Sequence, residues 1–158
     1  MRLKQSTRRC GRLKIAFDLD GVLREGQLGF YYLCREKGWK KHLMTETEAS
    51  CKPLLNPNLF TTIDDELYVI TDCGTGHSAK QKRAWVRHFY GDRIKFLSTS
   101  IASEYPDDNG YAKAVAKAKV AIMLLCGIEV YFDDCPAIIH EMRLLTDKIK
   151  FVKYGTWI

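Results

Sequence analysis

The sequence lacks any run of about 18 consecutive apolar residues, the length that a membrane-spanning helix requires. Its N-terminus, MRLKQSTRRCGRLK, is charged and has no apolar stretch of the kind that a secretory signal contains. We therefore expect a soluble, cytoplasmic protein without a membrane partner. The six cysteines include no CxxC pair, and a chain of 158 residues that is 46% hydrophobic buries a core without cross-links. Free thiols are thus expected, and neither a disulfide framework nor a zinc site is favoured.

Acidic residues are absent from residues 1–14, whereas this segment contains six basic ones: Arg2, Lys4, Arg8, Arg9, Arg12 and Lys14. Without these six, 19 of the 25 basic residues remain and balance the 19 acidic residues, so the segment accounts for the net charge of +6. Two interpretations stay open, a solvated arm or a segment that binds nucleic-acid phosphates. We treat residues 1–12 as a basic N-terminal arm and residues 13–158 as a single domain.

Internal repeats and low-complexity tracts are also absent, and short apolar segments alternate with helical ones instead. Five segments are rich in Ile, Val, Phe and Tyr, as strands buried on both faces are: 13–19, 67–71, 94–98, 129–133 and 148–152. One helix is predicted to begin at Ser78, which has capping-box spacing to Gln81. A second is predicted to end at Gly127, and a third to begin at Pro136. The alternation predicts an α/β fold with a doubly wound, parallel, five-stranded sheet, and residues 25–66 form a small insert after the first strand.

Polar residues follow three of the predicted strands. They are Asp18 and Asp20 after the first, Thr71 and Asp72 after the second, and Asp133 and Asp134 after the fourth. Because the carboxyl ends of parallel strands meet at one sheet edge, we expect these side chains to lie together. Crowded carboxylates repel one another unless a cation neutralises them, and Mg²⁺ prefers oxygen ligands. The predicted metal ligands are Asp18, Asp20, Asp133 and Asp134, although Asp and Gly are also ordinary turn residues.

Two other motifs fit less well. An EF-hand loop starting at Asp18 would have Val22 at its fifth position and Gly29 at its twelfth, where oxygen ligands are required. The stretch GTGHSA, residues 74–79, follows a strand and opens a helix as a dinucleotide-binding fingerprint does. The next strand ends in LSTS and lacks the acidic residue that would bind the ribose.

A lysine in the helix before Gly127 supplies a cation for the carboxylates. At 100° per residue, Lys113 and Lys117 share one face, while Lys119 falls on the opposite, apolar face that includes Val115 and Met123. Lys119 either extends along the edge of this apolar face to solvent or reaches the carboxylates, where it would orient a nucleophile and bind a phosphate. Lys113 and Lys117 remain alternatives if the helix is rotated.

Together, DLDGVL, VIT at a strand end, a helix lysine and FDD at a later strand end resemble the four motifs of the haloacid dehalogenase-like (HAD) hydrolase superfamily, in order over residues 13–153. The resemblance implies a Rossmann-like fold and a Mg²⁺-dependent phosphatase that works through an aspartyl-phosphate. Its residues would be Asp18 as nucleophile, Asp20 as general acid/base, Thr71 and Lys119 as phosphate contacts, and Asp133 and Asp134 as metal ligands. The dehalogenase branch usually lacks the second aspartate of the first motif, so Asp20 favours phosphoryl transfer. Asp72 stands where the family commonly has a small neutral residue, and we predict it as a further substrate contact.

The size of the inserts predicts the kind of substrate. Residues 25–66 and the loop TSIASEYPDDNG are too short to form a large cap, so the site should be open to a nucleotide or other phosphate ester. The alternative is a nucleic-acid-binding protein, or a phosphatase of nucleic-acid ends, that uses residues 1–14 to bind its partner.

Overall fold

A computed structural model of the protein describes residues 12–24, 52–73, 76–101 and 110–155. The predicted arm (apart from Arg12), most of the predicted insert and most of the loop after β3 lie outside these residues. Within them, no helix is both long enough and apolar enough to cross a membrane.

The described residues form a five-stranded sheet in which every neighbouring pair of strands is parallel, with the order β3-β2-β1-β4-β5. The strands are β1 (Lys14–Phe17), β2 (Glu66–Asp72), β3 (Ile94–Thr99), β4 (Val130–Asp133) and β5 (Lys150–Lys153). Among the described residues, three α-helices follow β2, β3 and β4: α1 (Gly76–Tyr90), α2 (Tyr111–Cys126) and α3 (Pro136–Leu145). The prediction of a five-stranded parallel α/β sheet is confirmed.

Helices cover both faces of the sheet because successive strand residues point to opposite sides. On one face, Phe17 and Val69 pack with Trp85 of α1. On the other, residues such as Ala16 and Ile70 pack against α2 and α3. The central strands are therefore buried on both sides, which explains their continuous apolar runs.

The helix ends follow the sequence in two cases and differ in one. Gly127 adopts a left-handed conformation (φ 72°) and ends α2, and Pro136 is the first residue of α3, as predicted. In contrast, α1 begins at Gly76, so Ser78 lies inside the helix and the predicted capping box is wrong. The capping residue must lie before the first helical turn, and Ser78 is already part of that turn.

Two further details concern the strand ends and the thiols. The first strand ends at Phe17 rather than at residue 19, because the Leu19 carbonyl accepts hydrogen bonds from the tight turn that follows. Cys73, Cys126 and Cys135 form no disulfide, as predicted, and the other three cysteines lie outside the described residues.

Candidate active site

Asp18 is the first residue after β1, at the carboxyl edge of the sheet. Its N–H donates to the carbonyl of Phe132 in β4 at 2.8 Å, which anchors the backbone to the neighbouring strand. Its Oδ1 accepts from the Leu19 N–H at 2.9 Å and from Lys119 Nζ at 3.3 Å. No hydrogen bond from the part of the chain that is described ends on Oδ2, so one oxygen orients the carboxylate and the other is available to a ligand.

Lys119 of α2 lies at the centre of the site, with 1% of its surface exposed. Its Nζ is 3.3 Å from Asp18 Oδ1, 3.3 Å from Asp133 Oδ2 and 2.8 Å from the Tyr131 hydroxyl. Burial alone would lower the pKa of Lys119, but the two carboxylates outweigh burial and hold the pKa above its ordinary value. Lys113 and Lys117 are exposed, so Lys119 is the lysine of α2 that reaches the carboxylates.

Tyr131 connects Lys119 to Asp133 and was not identified from the sequence. Its hydroxyl accepts from Lys119 and donates to Asp133 Oδ2 at 2.8 Å. Burial and the nearby Asp133 charge raise the pKa of Tyr131 well above its ordinary value, so the hydroxyl stays neutral and remains a donor. Asp133 is fully buried, and its other oxygen accepts from the Cys135 N–H at 2.9 Å. Both oxygens of Asp133 are therefore held by the protein.

Asp18, Asp133 and Asp134 form a carboxylate group suited to a metal, since one oxygen of each lies within 4.8 Å of the others. Burial raises the pKa of Asp18 to about 7. The Lys119 charge opposes this rise in pKa, and the Asp133 charge adds to it. Burial and the Asp133 charge raise the pKa of Asp134 to about 6. Three carboxylates facing one ammonium group leave two negative charges in excess, which a divalent cation would neutralise. The group contains three of the four predicted ligands.

Asp20 lies outside this group and between two cations instead. Arg24 Nε donates to its Oδ1 at 2.7 Å, and Lys82 Nζ of α1 donates to its Oδ2 at 2.9 Å. Burial would raise the pKa of Asp20, but Lys82 and Arg24 outweigh burial and hold the pKa below its ordinary value. At rest Asp20 is therefore a carboxylate, and its side chain is directed to the ion pairs rather than to the other three carboxylates.

The two cations that hold Asp20 are themselves buried. Arg24 has no exposed surface, and its guanidinium lies 5.3 Å from the centroid of the Trp85 ring. Lys82 also donates to the carbonyl of Asp72 at 3.2 Å, so it joins the ends of β1 and β2. Asp20 is thus positioned by Lys82 of α1 and by Arg24 of its own turn.

Thr71 and Asp72 end β2 beside this cluster. Thr71 is buried, in register with Ser98 of β3. Asp72 Oδ1 accepts from Thr99 Oγ1 at 2.5 Å and from the Ile101 N–H at 2.7 Å, and Oδ2 accepts from the Tyr111 hydroxyl at 2.9 Å. Asp72 therefore ties β2 to β3 and α2, and the substrate contact predicted for it would compete with these bonds.

Two glycines, Gly21 and Gly155, approach each other closely beside Asp134. Gly21 has a φ of 82° in the turn after Asp20. Gly155, which follows β5, approaches it so closely that a Cβ at position 155 would lie 2.1 Å from the Gly21 carbonyl oxygen and 2.8 Å from the Asp134 Cβ. Glycine at position 155 is thus required for the chain to pass over this turn.

No protein-family model matches the chain, and no curated protein is detectably similar to it in sequence. The functional assignment therefore depends on the residues of the site and their geometry.

Proposed function

We propose that this protein is a Mg²⁺-dependent phosphomonoester hydrolase that works through an aspartyl-phosphate on Asp18, as the resemblance to the HAD-like hydrolases implies. One observation carries the proposal. Asp18, the first residue after the central strand, contacts the buried Lys119 and shares a cation-sized space with Asp133 and Asp134. This is an arrangement in which a weak carboxylate nucleophile and an anionic substrate can approach each other.

The proposed metal would be held by Asp18 and Asp134, with Asp133 close by. Asp134 fits a direct ligand better than Asp133, because both oxygens of Asp133 already have hydrogen-bond partners in the protein. When bound, Mg²⁺ would neutralise negative charge on the phosphate and on the carboxylates. Lys119 would add a further positive charge that the protein itself supplies.

In the first step, an oxygen of Asp18 attacks phosphorus while the bond from phosphorus to the ester oxygen breaks in line. The departing oxygen takes a proton, which the Asp20–Lys82 ion pair would supply. The pair shares one proton that rests on Lys82, since the pKa of Asp20 is held below its ordinary value and that of Lys82 above it. This one proton would pass from Lys82 Nζ through the Asp20 carboxylate to the ester oxygen, which leaves Lys82 neutral and Asp20 ionised until the second step.

In the second step, water attacks phosphorus, and the bond between phosphorus and Asp18 breaks to release inorganic phosphate. Asp20 accepts the proton that the water loses, which restores the protonated ion pair. Thr71 would bind a phosphate oxygen through its hydroxyl, the role that the resemblance implies for it.

Replacement of the nucleophile tests this proposal. Asp18→Asn keeps the size of the side chain, so we expect a folded protein whose hydrolysis of an aryl phosphate in Mg²⁺ falls by about 10³-fold or more. The matched control is Asp147→Asn, which changes an exposed aspartate outside the site. Mass spectrometry after trapping should find the phosphoryl group on the peptide that contains Asp18. Near-normal turnover by Asp18→Asn, or a phosphoryl group on another residue, would exclude the mechanism.

A further inference from the structure

Helix α1 has a strongly basic exposed face. Its sequence contains no acidic residue, and its lysines and arginines are Lys80, Lys82, Arg83 and Arg87. Lys82 is buried against Asp20, whereas the other three are exposed. Residues three and four apart are neighbours on a helix surface, so Lys80, Arg83 and Arg87 form one row of positive charge.

A groove of about 360 Å³ lies beside this row, between α1 and the edge strand β3. Its charged side chains are Arg83, Arg87 and Asp92, and its apolar lining includes Val86 and Phe96. Lys95 also borders the groove, but its ammonium lies over the Tyr68 ring on the opposite face of the sheet. Asp92 is the acidic residue among the groove's lining residues, and its carboxylate lies 3.9 Å from Arg87. Arg83 and Arg87, with Lys80 in the same row of α1, outnumber this one carboxylate, so the groove and the row beside it carry excess positive charge, which favours an anionic ligand.

Phe96 provides an aromatic surface within the groove. Its side chain is partly buried, and the Arg83 guanidinium carbon lies 5.5 Å from the centroid of its ring. A cationic groove that contains an aromatic ring and a guanidinium is typical of proteins that bind single-stranded nucleic acid, where bases stack and phosphates pair with the cations. Other polyanions would contact the cations but would not stack on the Phe96 ring.

The groove lies at the amino end of β3, and the basic row of α1 leads from it towards the candidate active site. Phe96 is in register with Val69 of β2, three residues before Asp72 at the end of that strand. At about 3.3 Å per residue, Phe96 is about 10 Å from the sheet edge that carries the carboxylates, and the other lining residues of β3 lie farther from that edge. Lys80 lies closer to the N-terminus of α1, the end of the helix that adjoins this edge. A strand bound along α1 would therefore point one of its ends towards Asp18.

We propose that this groove binds single-stranded nucleic acid and that the substrate is the phosphate monoester at the end of the bound strand. Hydrolysis would convert this monoester and water to a hydroxyl end and inorganic phosphate. The choice of substrate rests on the proposed phosphatase activity, whereas the binding surface does not. This surface is separate from the N-terminal segment, of which Lys14 already donates to the Cys126 carbonyl and pairs with Glu66.

Binding is tested in the full chain carrying Asp18→Asn, so that the strand is not processed. The probe is a fluorescent single-stranded DNA of about 12 nucleotides with a terminal phosphate. Substitution of Lys80, Arg83 and Arg87 by glutamine, the groove variant, removes three charges but keeps most of each aliphatic stem. The matched control is substitution of Lys113, Lys117 and Lys148 by glutamine, which removes three charges from other exposed positions.

If Lys80, Arg83 and Arg87 contact phosphates, the slope of log affinity against log salt should flatten by about 2 units in the groove variant and change little in the control. Asp92→Asn should strengthen binding, because it removes the negative charge beside Arg87. Equal slopes in the two triple variants would overturn the binding surface.

Cleavage is then compared in protein with Asp18 intact. The ratio of kcat/KM for the oligonucleotide to kcat/KM for an aryl phosphate should fall by about tenfold or more in the groove variant, mainly through KM. An unchanged ratio would overturn the substrate assignment. Hydrolysis that survives Asp18→Asn would refute the phosphatase mechanism instead, and the binding measurement, made without turnover, would still stand.

Discussion

Lys82 and Asp20 form an ion pair with 2.9 Å between Nζ and Oδ2, and their side chains are only 10% and 26% exposed. The proposed general acid/base is therefore held by a residue of α1, an element that carries none of the four motifs. Because the proton proposed for the leaving group rests on Lys82, a defect in Lys82 should resemble a defect in proton delivery.

Lys82→Met should reduce kcat most for substrates whose leaving group needs a proton. An alkyl phosphate releases a strongly basic alkoxide, whereas a nitrophenyl phosphate releases a stable anion, so the alkyl ester should lose about tenfold more activity than the aryl ester. Lys80→Met on the exposed face of the same helix is the control. Equal losses for both esters would indicate that Lys82 only holds the structure together.

Lys119→Met should abolish most activity and also destabilise the protein. It removes the ammonium that neutralises two buried carboxylates, so the free energy of unfolding without Mg²⁺ should fall by about 3 kcal/mol. Denaturant unfolding in the presence of a chelator measures this loss. Lys117→Met, on the exposed face of α2, should change neither property. Wild-type activity in Lys119→Met would refute the role of this lysine at the site.

Tyr131→Phe should weaken the contact between Lys119 and Asp133. The substitution removes the hydroxyl that accepts a hydrogen bond from Lys119 and donates one to Asp133. The free energy of unfolding should fall by about 1–3 kcal/mol. If Tyr131 also orients Asp133 beside the metal, the Mg²⁺ concentration needed for half-maximal activity should rise. Tyr90→Phe is the matched control, because it also removes a tyrosine hydroxyl, one that donates to the Leu55 carbonyl away from the carboxylates. A loss of stability with an unchanged Mg²⁺ requirement would limit Tyr131 to a structural role.

The stability of the metal-free protein should depend on pH through Asp18 and Asp134. The pKa of Asp18 is raised from 3.8 to about 7 in the folded protein. The folded state therefore retains a proton that the unfolded chain releases, and the resulting stabilisation, complete below pH 3.8, is lost as the pH rises through about 7. The Asp134 pKa of about 6 acts in the same direction.

Mg²⁺ competes with these protons, so it should stabilise the protein more at about pH 8 than at about pH 5. Melting temperatures with and without Mg²⁺ at the two pH values measure the effect. Asp134→Asn should remove most of the Mg²⁺ response, and Asp147→Asn should leave it intact. A Mg²⁺ response of equal size at both pH values would contradict the metal site.

The sequence was sufficient to predict the architecture, because strands buried on both faces have continuous apolar runs and the connecting helices have recognisable ends. Asp18, Asp133 and Asp134 could be placed together for a related reason, since residues at the carboxyl ends of parallel strands must meet at one edge. Lys119 was identified by the face of α2 on which it falls. The same helical geometry puts Lys82 on the face of Trp85 and Val86, and would have identified it as an inward-facing lysine.

Which partner each side chain takes was decided by the tertiary structure alone. The sequence places Asp20 two residues from Asp18 and suggests a shared metal, yet α1 and the turn at Arg24 supply two cations that draw its carboxylate away. Asp72 similarly faces three donors from β3, the following segment and α2. Local patterns determine which residues reach the edge of the sheet. The charge and hydrogen bonding of these carboxylates depend largely on groups distant in the chain, such as Lys82 and Lys119, that only packing brings within about 3.3 Å.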